Sequence, residues 1–202
     1  LFRSHAFKAG YYNNPATMAN NTSRGSLHFI SRAAPANAMS PGRELGLSYI
    51  FYNNQFLANQ GVFAENMYND QIAGFQGVTF GGRWLWRPIN DENNTLHVGV
   101  NFRYANICTG EVYNNTLKTE YTIGTSLETY VDPTKQFVSA TMPWAKNVYD
   151  LGAELLYKND NFFIRGEYMY KTVTKERDDQ TLFEANLGSI DSWGTLESWQ
   201  KG

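Results

Sequence analysis

The 202-residue chain contains one cysteine, Cys108. No internal disulfide can form, so the fold is not stapled as small secreted domains are. Cys108 is expected to be a buried or loop thiol without a chemical role. No run of about 18 apolar residues exists, which excludes a spanning helix but leaves spanning strands open. Neither sign of charge dominates: 17 Lys and Arg stand against 19 Asp and Glu. No strongly basic surface calls for nucleic acid. Histidines are scarce and scattered, at 5, 28 and 97. There is no GxSxG elbow, no HExxH spacing, no phosphate-cradling glycine loop and no dinucleotide fingerprint. Catalysis, a metal and a cofactor are therefore not expected. The opening "LFRSHAFKAG" lacks the basic start and apolar stretch of a signal peptide. That suits a mature chain or a piece of a longer one.

What the chain has is aromatic residues, 15 % of the total, and alternation. In "LHVGVNFRYA" (96–105), Leu96, Val98, Val100, Phe102 and Tyr104 share one parity. His97, Gly99, Asn101 and Arg103 share the other. Successive side chains of a strand point to opposite faces, so this strand has one apolar and one polar face. No window carries apolar residues at helical spacing with caps at its ends.

The same alternation recurs in pairs. "RELGLSYIFY" (43–52) is followed by Asn53-Asn54, both able to take positive φ, and then by "QFLANQGVFAE" (55–65). This predicts a hairpin with a tight turn and a bulge near Gly61. "GVTFGGRWLWR" (77–87) places Val78, Phe80, Trp84 and Trp86 opposite Thr79, Arg83, Leu85 and Arg87. Pro88 is expected to end it before 95–105 returns. "VYDLGAELLYK" (148–158) and "FFIRGEYMYK" (162–171) form a third hairpin around "NDN". Turns within hairpins are short. The connections between hairpins are long, above all 106–146.

Short turns on one side and long connections on the other are the asymmetry of an outer-membrane barrel. The strands run to about ten residues, near the length that crosses a bilayer when tilted. Several end in Tyr or Trp, as interfacial girdles do. Mid-strand charges (Arg83, Arg103, Glu154, Arg165, Glu167) suit a water-filled lumen. The alternative is a secreted or surface β-rich binding module, such as a glycan binder, whose strands also alternate. "NNTS" and two "NNT" stretches match glycosylation sequons but serve more simply as Asn-rich turns.

One stretch goes beyond pattern. Lys8, Gly10 and Pro15, then Phe29 and Arg32, then "APANAMSPGRELG" (34–46) resemble the phosphate-selective porin O and P family of bacterial outer membranes. "GRWLWRP" (82–88), "LHVGVNFRY" and "LGAELLYKNDNFFIRGEYMY" are similar to further family stretches, in order along nearly the whole chain.

The resemblance implies an all-β protein, an antiparallel transmembrane β-barrel of the porin type. Roughly seven or eight strands can be counted against the family's class of about 16. Residues 1–202 are thus expected to be one barrel region, part of a longer chain. The resemblance further implies a homotrimeric passive channel in the outer membrane. It would contact lipid and pass small solutes, among them anions such as phosphate. By parity, Arg83, Arg87, Arg103 and Arg165 are candidate pore-lining residues, with Lys171 near a mouth. Arg32 and Arg43 flank the Pro-Gly-Arg loop, which is expected to pack inside or across the barrel mouth, with Pro35, Met39 and Pro41 against protein. Each lumenal Arg has Glu44, Glu154 and Glu167 as available counter-charges.

Overall fold

A computed structural model of the chain describes residues 4–23, 25, 32–64, 77–106, 112–113, 116–117, 121–126, 136–142 and 145–175. Phe29 and Cys108 lie outside these residues. Seven strands form one antiparallel sheet. In chain order the elements are β1 (His5–Asn13), α1 (Met18–Asn21), α2 (Ala34–Met39), β2 (Arg43–Tyr52), β3 (Phe56–Ala64), β4 (Val78–Asn90), β5 (Asn94–Asn106), β6 (Val112–Tyr113), β7 (Thr116–Leu117), β8 (Tyr121–Ser126), β9 (Gln136–Met142), β10 (Ala145–Asn159) and β11 (Phe162–Lys175). The sheet order is β1-β2-β3-β4-β5-β10-β11. Each strand pairs with the neighbour that a hairpin chain dictates, and β10 takes its place beside β5. The sheet is open, with β1 and β11 at its edges. The chain is thus all-β, as its alternation demands, with two very short helices.

The long tract between β5 and β10 folds back as two separate hairpins, β6–β7 and β8–β9. Its β8 strand lies against α2. A small apolar nucleus forms where Ala105, Ala145 and Val148 meet Tyr121, Met142 and Val173.

The two faces of the sheet are inverted relative to a soluble protein. Val100 is 50 % exposed, while its neighbour Asn101 is 3 % exposed. Leu47, Val62, Phe80, Trp84, Trp86, Val98, Leu151 and Leu155 are also exposed, whereas Glu44, Arg103, Asp150 and Glu154 are buried. Soluble proteins rarely leave a contiguous apolar face of this kind bare.

The sheet is curled around its polar face. Laid flat at about 4.8 Å per strand, β1 and β11 would stand about 29 Å apart. From Asn13 to Met18 the chain reaches at most about 17 Å. Yet the Met18 N–H meets the Glu167 side chain of β11 at 2.8 Å. Residues 14–20, after β1, are therefore laid across the concave polar side, and all of them are buried.

Three local expectations are corrected. Asn53 and Asn54 do not take positive φ; among the described residues outside glycine only Asp160 does, at 43°. Instead the Asn53 side chain makes the turn, its Oδ1 accepting from the backbone N–H of Gln55 (2.8 Å) and Phe56 (2.6 Å). No bulge occurs at Gly61, where the register with both neighbours is unbroken. Gly61 is there because a Cβ would stand 2.6 Å from both the Leu47 carbonyl and the Ser48 Cβ. The parity change after it reflects an apolar residue, Phe63, turned inward. Pro88 does not end β4. A register shift between Trp86 and Ile89 absorbs it and the strand continues to Asn90. Proline tolerates such a bulge because the missing N–H falls out of the ladder there.

Candidate functional site

The concave face carries the polar chemistry, and strand register decides which charges meet. Asp150 on β10 lies directly opposite Arg103 on β5 and Lys171 on β11. The Arg103 guanidinium donates through Nη1 to Asp150 Oδ2 at 3.2 Å. Through Nη2 it donates to Glu44 Oε1, contributed by β2, at 3.0 Å. Lys171 Nζ stands 2.9 Å from Asp150 Oδ1 and donates to the Tyr121 hydroxyl of β8 at 2.9 Å. The Asn14 side chain completes the group by donating to Glu44 Oε2. One network therefore ties β2, β5, β10, β11, the β8–β9 hairpin and the segment after β1.

A second cluster lies one layer nearer the short turns. Glu154 accepts from Arg83 Nε at 3.0 Å, has Arg83 Nη2 at 2.9 Å and shares a hydrogen bond with His97 Nε2 at 2.8 Å. Glu154 faces Glu167 across the β10–β11 ladder. Two like charges in such positions would repel. Each is occupied differently: Glu154 by Arg83 and His97, Glu167 by the backbone N–H groups of Met18 and Ala19 at 2.8 and 3.0 Å.

The parity candidates are thus sorted by their partners. Arg83 and Arg103 are on the concave face, as expected from alternation, and both are held in ion pairs. Lys171 also lies on the concave face, its side chain enclosed in the network beside Asp150. Arg87 sits beside the short turns, donating from Nη2 to the Asn53 carbonyl at 3.0 Å. Arg165 shares the concave parity with Glu167 and forms no ion pair among the described residues. Lys8, on β1 opposite Ser48, lies over the Tyr12 ring at 4.1 Å and also forms no ion pair among the described residues. Parity would have placed Lys8 inside, but its strand alternates too weakly to be singled out. Asp150 and Asn14 were likewise missed. Their role comes from register, which no local spacing announces.

Arg32 and Arg43 part company. Arg32 donates to the carbonyls of Ala19 (2.6 Å) and Thr22 (3.0 Å), closing the C-terminal side of α1. Arg43 opens β2 on the outward parity and is exposed. The loop between them is short helix α2, lying against β8. Within it Ala36 is buried, Met39 and Pro41 are half-buried, and Pro35 is exposed. The expectation that Pro35 packs on protein is therefore corrected. A proline in the first turn of a helix can face outward without losing a hydrogen bond. The deepest burial falls on residues 14–20 instead, an Asn-rich stretch held by its own hydrogen bonds and by others to the strands and loop around it. The Asn14 N–H donates to the Gly42 carbonyl at 3.0 Å, and the Asn20 N–H to Thr17 Oγ1 at 3.1 Å.

The outer face is zoned. Toward the short turns its strands present Phe51, Phe56, Trp86, Tyr157 and Phe162, with Phe56 and Trp86 stacked at 6.4 Å. Toward the long connections they present Tyr11, Phe80, Tyr104, Tyr149 and Tyr170, with Tyr104 and Tyr149 at 5.1 Å. Between the two bands lie Ala9, Leu47, Ala58, Gly82, Val100 and Ala153, joined by Trp84 beside Val100 and Tyr168 beside Ala153. From Tyr149 to Tyr157 the strand covers about 26 Å at ~3.3 Å per residue. Tilted by about 40°, as barrel strands are, it rises about 20 Å, of the order of the apolar band of about 25 Å between aromatic girdles.

No cluster of His, Cys, Asp and Glu suited to a metal occurs among the described residues. In comparisons with known proteins, no curated protein and no solved structure matches the chain. The family model for phosphate-selective porin O and P, a family of bacterial outer-membrane channels rather than enzymes, matches residues 1–187. With its apolar face outward and its charges turned in, this chain belongs to the phosphate-selective porin O and P family.

Proposed function

We propose that the curled sheet is a segment of a closed outer-membrane barrel of about 16 strands. On this reading its concave face lines an aqueous passive pore for small solutes, anions such as phosphate among them. The inverted faces carry this reading. The exposed side is apolar between two aromatic bands, and the covered side is charged. Lipid offers no hydrogen bonds, so the open edges of β1 and β11 need partners there, and further strands of a barrel supply them. Spare polar capacity on the concave side also favours water over a dry core. Among the described residues, Asn59 Oδ1, Thr79 Oγ1, Asn101 Nδ2 and Arg103 Nε are buried without a hydrogen-bond partner in the structure.

Anion preference is assigned to the cations that no carboxylate neutralises. Arg83, Arg103 and Lys171 are each matched by Glu154, Glu44 or Asp150. Arg165 and Lys8 are not so matched among the described residues and sit on the concave parity. An unpaired cation in a narrow aqueous pore lowers the barrier for anions and raises it for cations. A homotrimer belongs to the same proposal and rests on the family.

Detergent extraction and reconstitution test this reading. The expected protein leaves the membrane only in detergent, shifts its gel mobility on boiling and produces conductance steps in a planar bilayer. Its reversal potential across a salt gradient lies on the anion side. A chain that stays soluble without detergent would sink the barrel. A reversal potential on the cation side would sink the selectivity.

A further inference from the structure

We propose that Glu167 is the positioning residue that holds the inward-folded segment 14–23 across the lumen and so sets the width of the channel. This rests on the porin reading above and goes beyond it by naming the group that fixes the constriction. Three observations converge. First, residues 14–20 are buried on the concave side and cross it from β1 toward β11. Second, they are anchored at both margins. Near β2 and β4, Asn14 bonds Gly42 and Glu44, and its side chain rests on Gly81, where a Cβ would stand 2.7 Å from Asn14 Oδ1. At the far side, the two carboxylate oxygens of Glu167 accept from consecutive N–H groups of Met18 and Ala19. Third, Glu167 needs no such role for its own sake. Arg165, two residues along the same strand face, forms no ion pair among the described residues, and Arg83 is held by Glu154, so backbone N–H groups are what Glu167 binds. Arg32 braces the opposite end of α1 through the Ala19 and Thr22 carbonyls. The crossing segment is thus clamped at a fixed height in the pore.

A bond to a charged acceptor is stronger than a neutral one, and both N–H groups have no helical partner of their own. Gln at position 167 keeps the size but offers a single acceptor oxygen and turns an NH2 toward one of the N–H donors. A second variant attacks the clamp from the segment itself. Met18 is the first residue of α1, after an extended Thr17 at φ −147°, ψ 147°. Proline fits both that position and that preceding residue, so Met18→Pro removes one N–H while keeping the helix start. Met18→Ala loses the same side chain but retains the N–H and is the matched control. Glu92→Gln, in the exposed turn between β4 and β5, controls for charge.

Full-length protein in detergent and in planar bilayers is used for both readouts. Hydrogen–deuterium exchange of the peptide covering 14–23 is expected to quicken about tenfold in Glu167→Gln and Met18→Pro, the fold-change for losing one hydrogen bond to a charged group. It is expected to stay at the wild-type rate in Glu92→Gln, and to quicken clearly less in Met18→Ala, which only empties the buried Met18 side chain's space, than in Met18→Pro. In bilayers, the first two variants are expected to occupy a wider, noisier conductance level about tenfold more often. They should also admit larger polyethylene glycols. Unchanged exchange in Glu167→Gln and Met18→Pro overturns the clamp. Quickened exchange with unchanged conductance and size cut-off overturns its role in pore width. A wild-type protein that forms no channel overturns the porin reading and the width assignment with it, while exchange still decides whether Glu167 holds the segment.

Discussion

At the scale of single residues, the alternation of Val100 and Asn101 states the solvent problem most sharply. A strand in a soluble sheet would bury the valine and wet the asparagine. Here the burial is the reverse. A charge at the middle of the outer face therefore has to enter hydrocarbon, at about 2–4 kcal/mol. Val100→Arg is expected to reduce the heat-shifting, folded band in outer-membrane fractions. Met169→Arg should reduce it less, because Met169 lies on the concave parity, turned away from the apolar face. Equal losses in the two variants would mean that the faces are misassigned. Gly81 tests the inner face at close range. Its missing Cβ makes room for Asn14, so Gly81→Ala pushes on the Asn14–Glu44–Arg103 group. Overpacking of this kind costs about 1–3 kcal/mol, and a lowered unfolding midpoint in denaturant would register it. Of the site itself, alternation places Arg83, Arg103 and Arg165 on one face, because a period of two is a local property. It cannot tell that Arg103 is neutralised by Asp150 and Glu44. Those partners arrive from β10 and β2, through pairing that only the whole sheet specifies.

At the scale of elements, the three hairpins were legible because short polar turns separate runs of strict alternation. Where one glycine or proline was given a fixed meaning, the expectation failed. Gly61 suggested a bulge, yet it is the flat spot that Ser48 presses against. Pro88 suggested a stop, yet a register shift carries the strand past it. The inward segment was least legible, since 14–20 is held by asparagine and threonine hydrogen bonds rather than by an apolar period. The turn between β10 and β11 offers a direct check on backbone conformation. Asp160 sits at φ 43°, a region that glycine enters without penalty and β-branched residues resist. Asp160→Gly is expected to leave the denaturation midpoint unchanged or raise it slightly. Asp160→Val is expected to lower the midpoint, by the equivalent of about 1–2 kcal/mol of stability. Identical midpoints for the two would show that this turn does not limit the hairpin.

At the scale of the whole molecule, composition is nearly silent about selectivity, because acids and bases almost cancel. What distinguishes one cation from another is whether a carboxylate already holds it. Removing Arg103 leaves Glu44 and Asp150 buried beside each other without their shared counter-charge. Breaking a buried pair from one side costs about 3–5 kcal/mol. Arg103→Gln is therefore expected chiefly to lower the yield of assembled protein. Arg165→Gln has the opposite signature. It breaks no ion pair among the described residues, so assembly should be intact, and its charge is free to act on passing ions. The reversal potential across a salt gradient is expected to move toward cation preference. The shift should be largest in dilute salt and fade as the Debye length shrinks toward about 3 Å at molar strength. Adding Lys8→Gln should extend the shift in the same direction. If Arg103→Gln moved the potential and Arg165→Gln did not, the ion path would run along the paired network. The carboxylates there would then have to release their arginine to each passing anion.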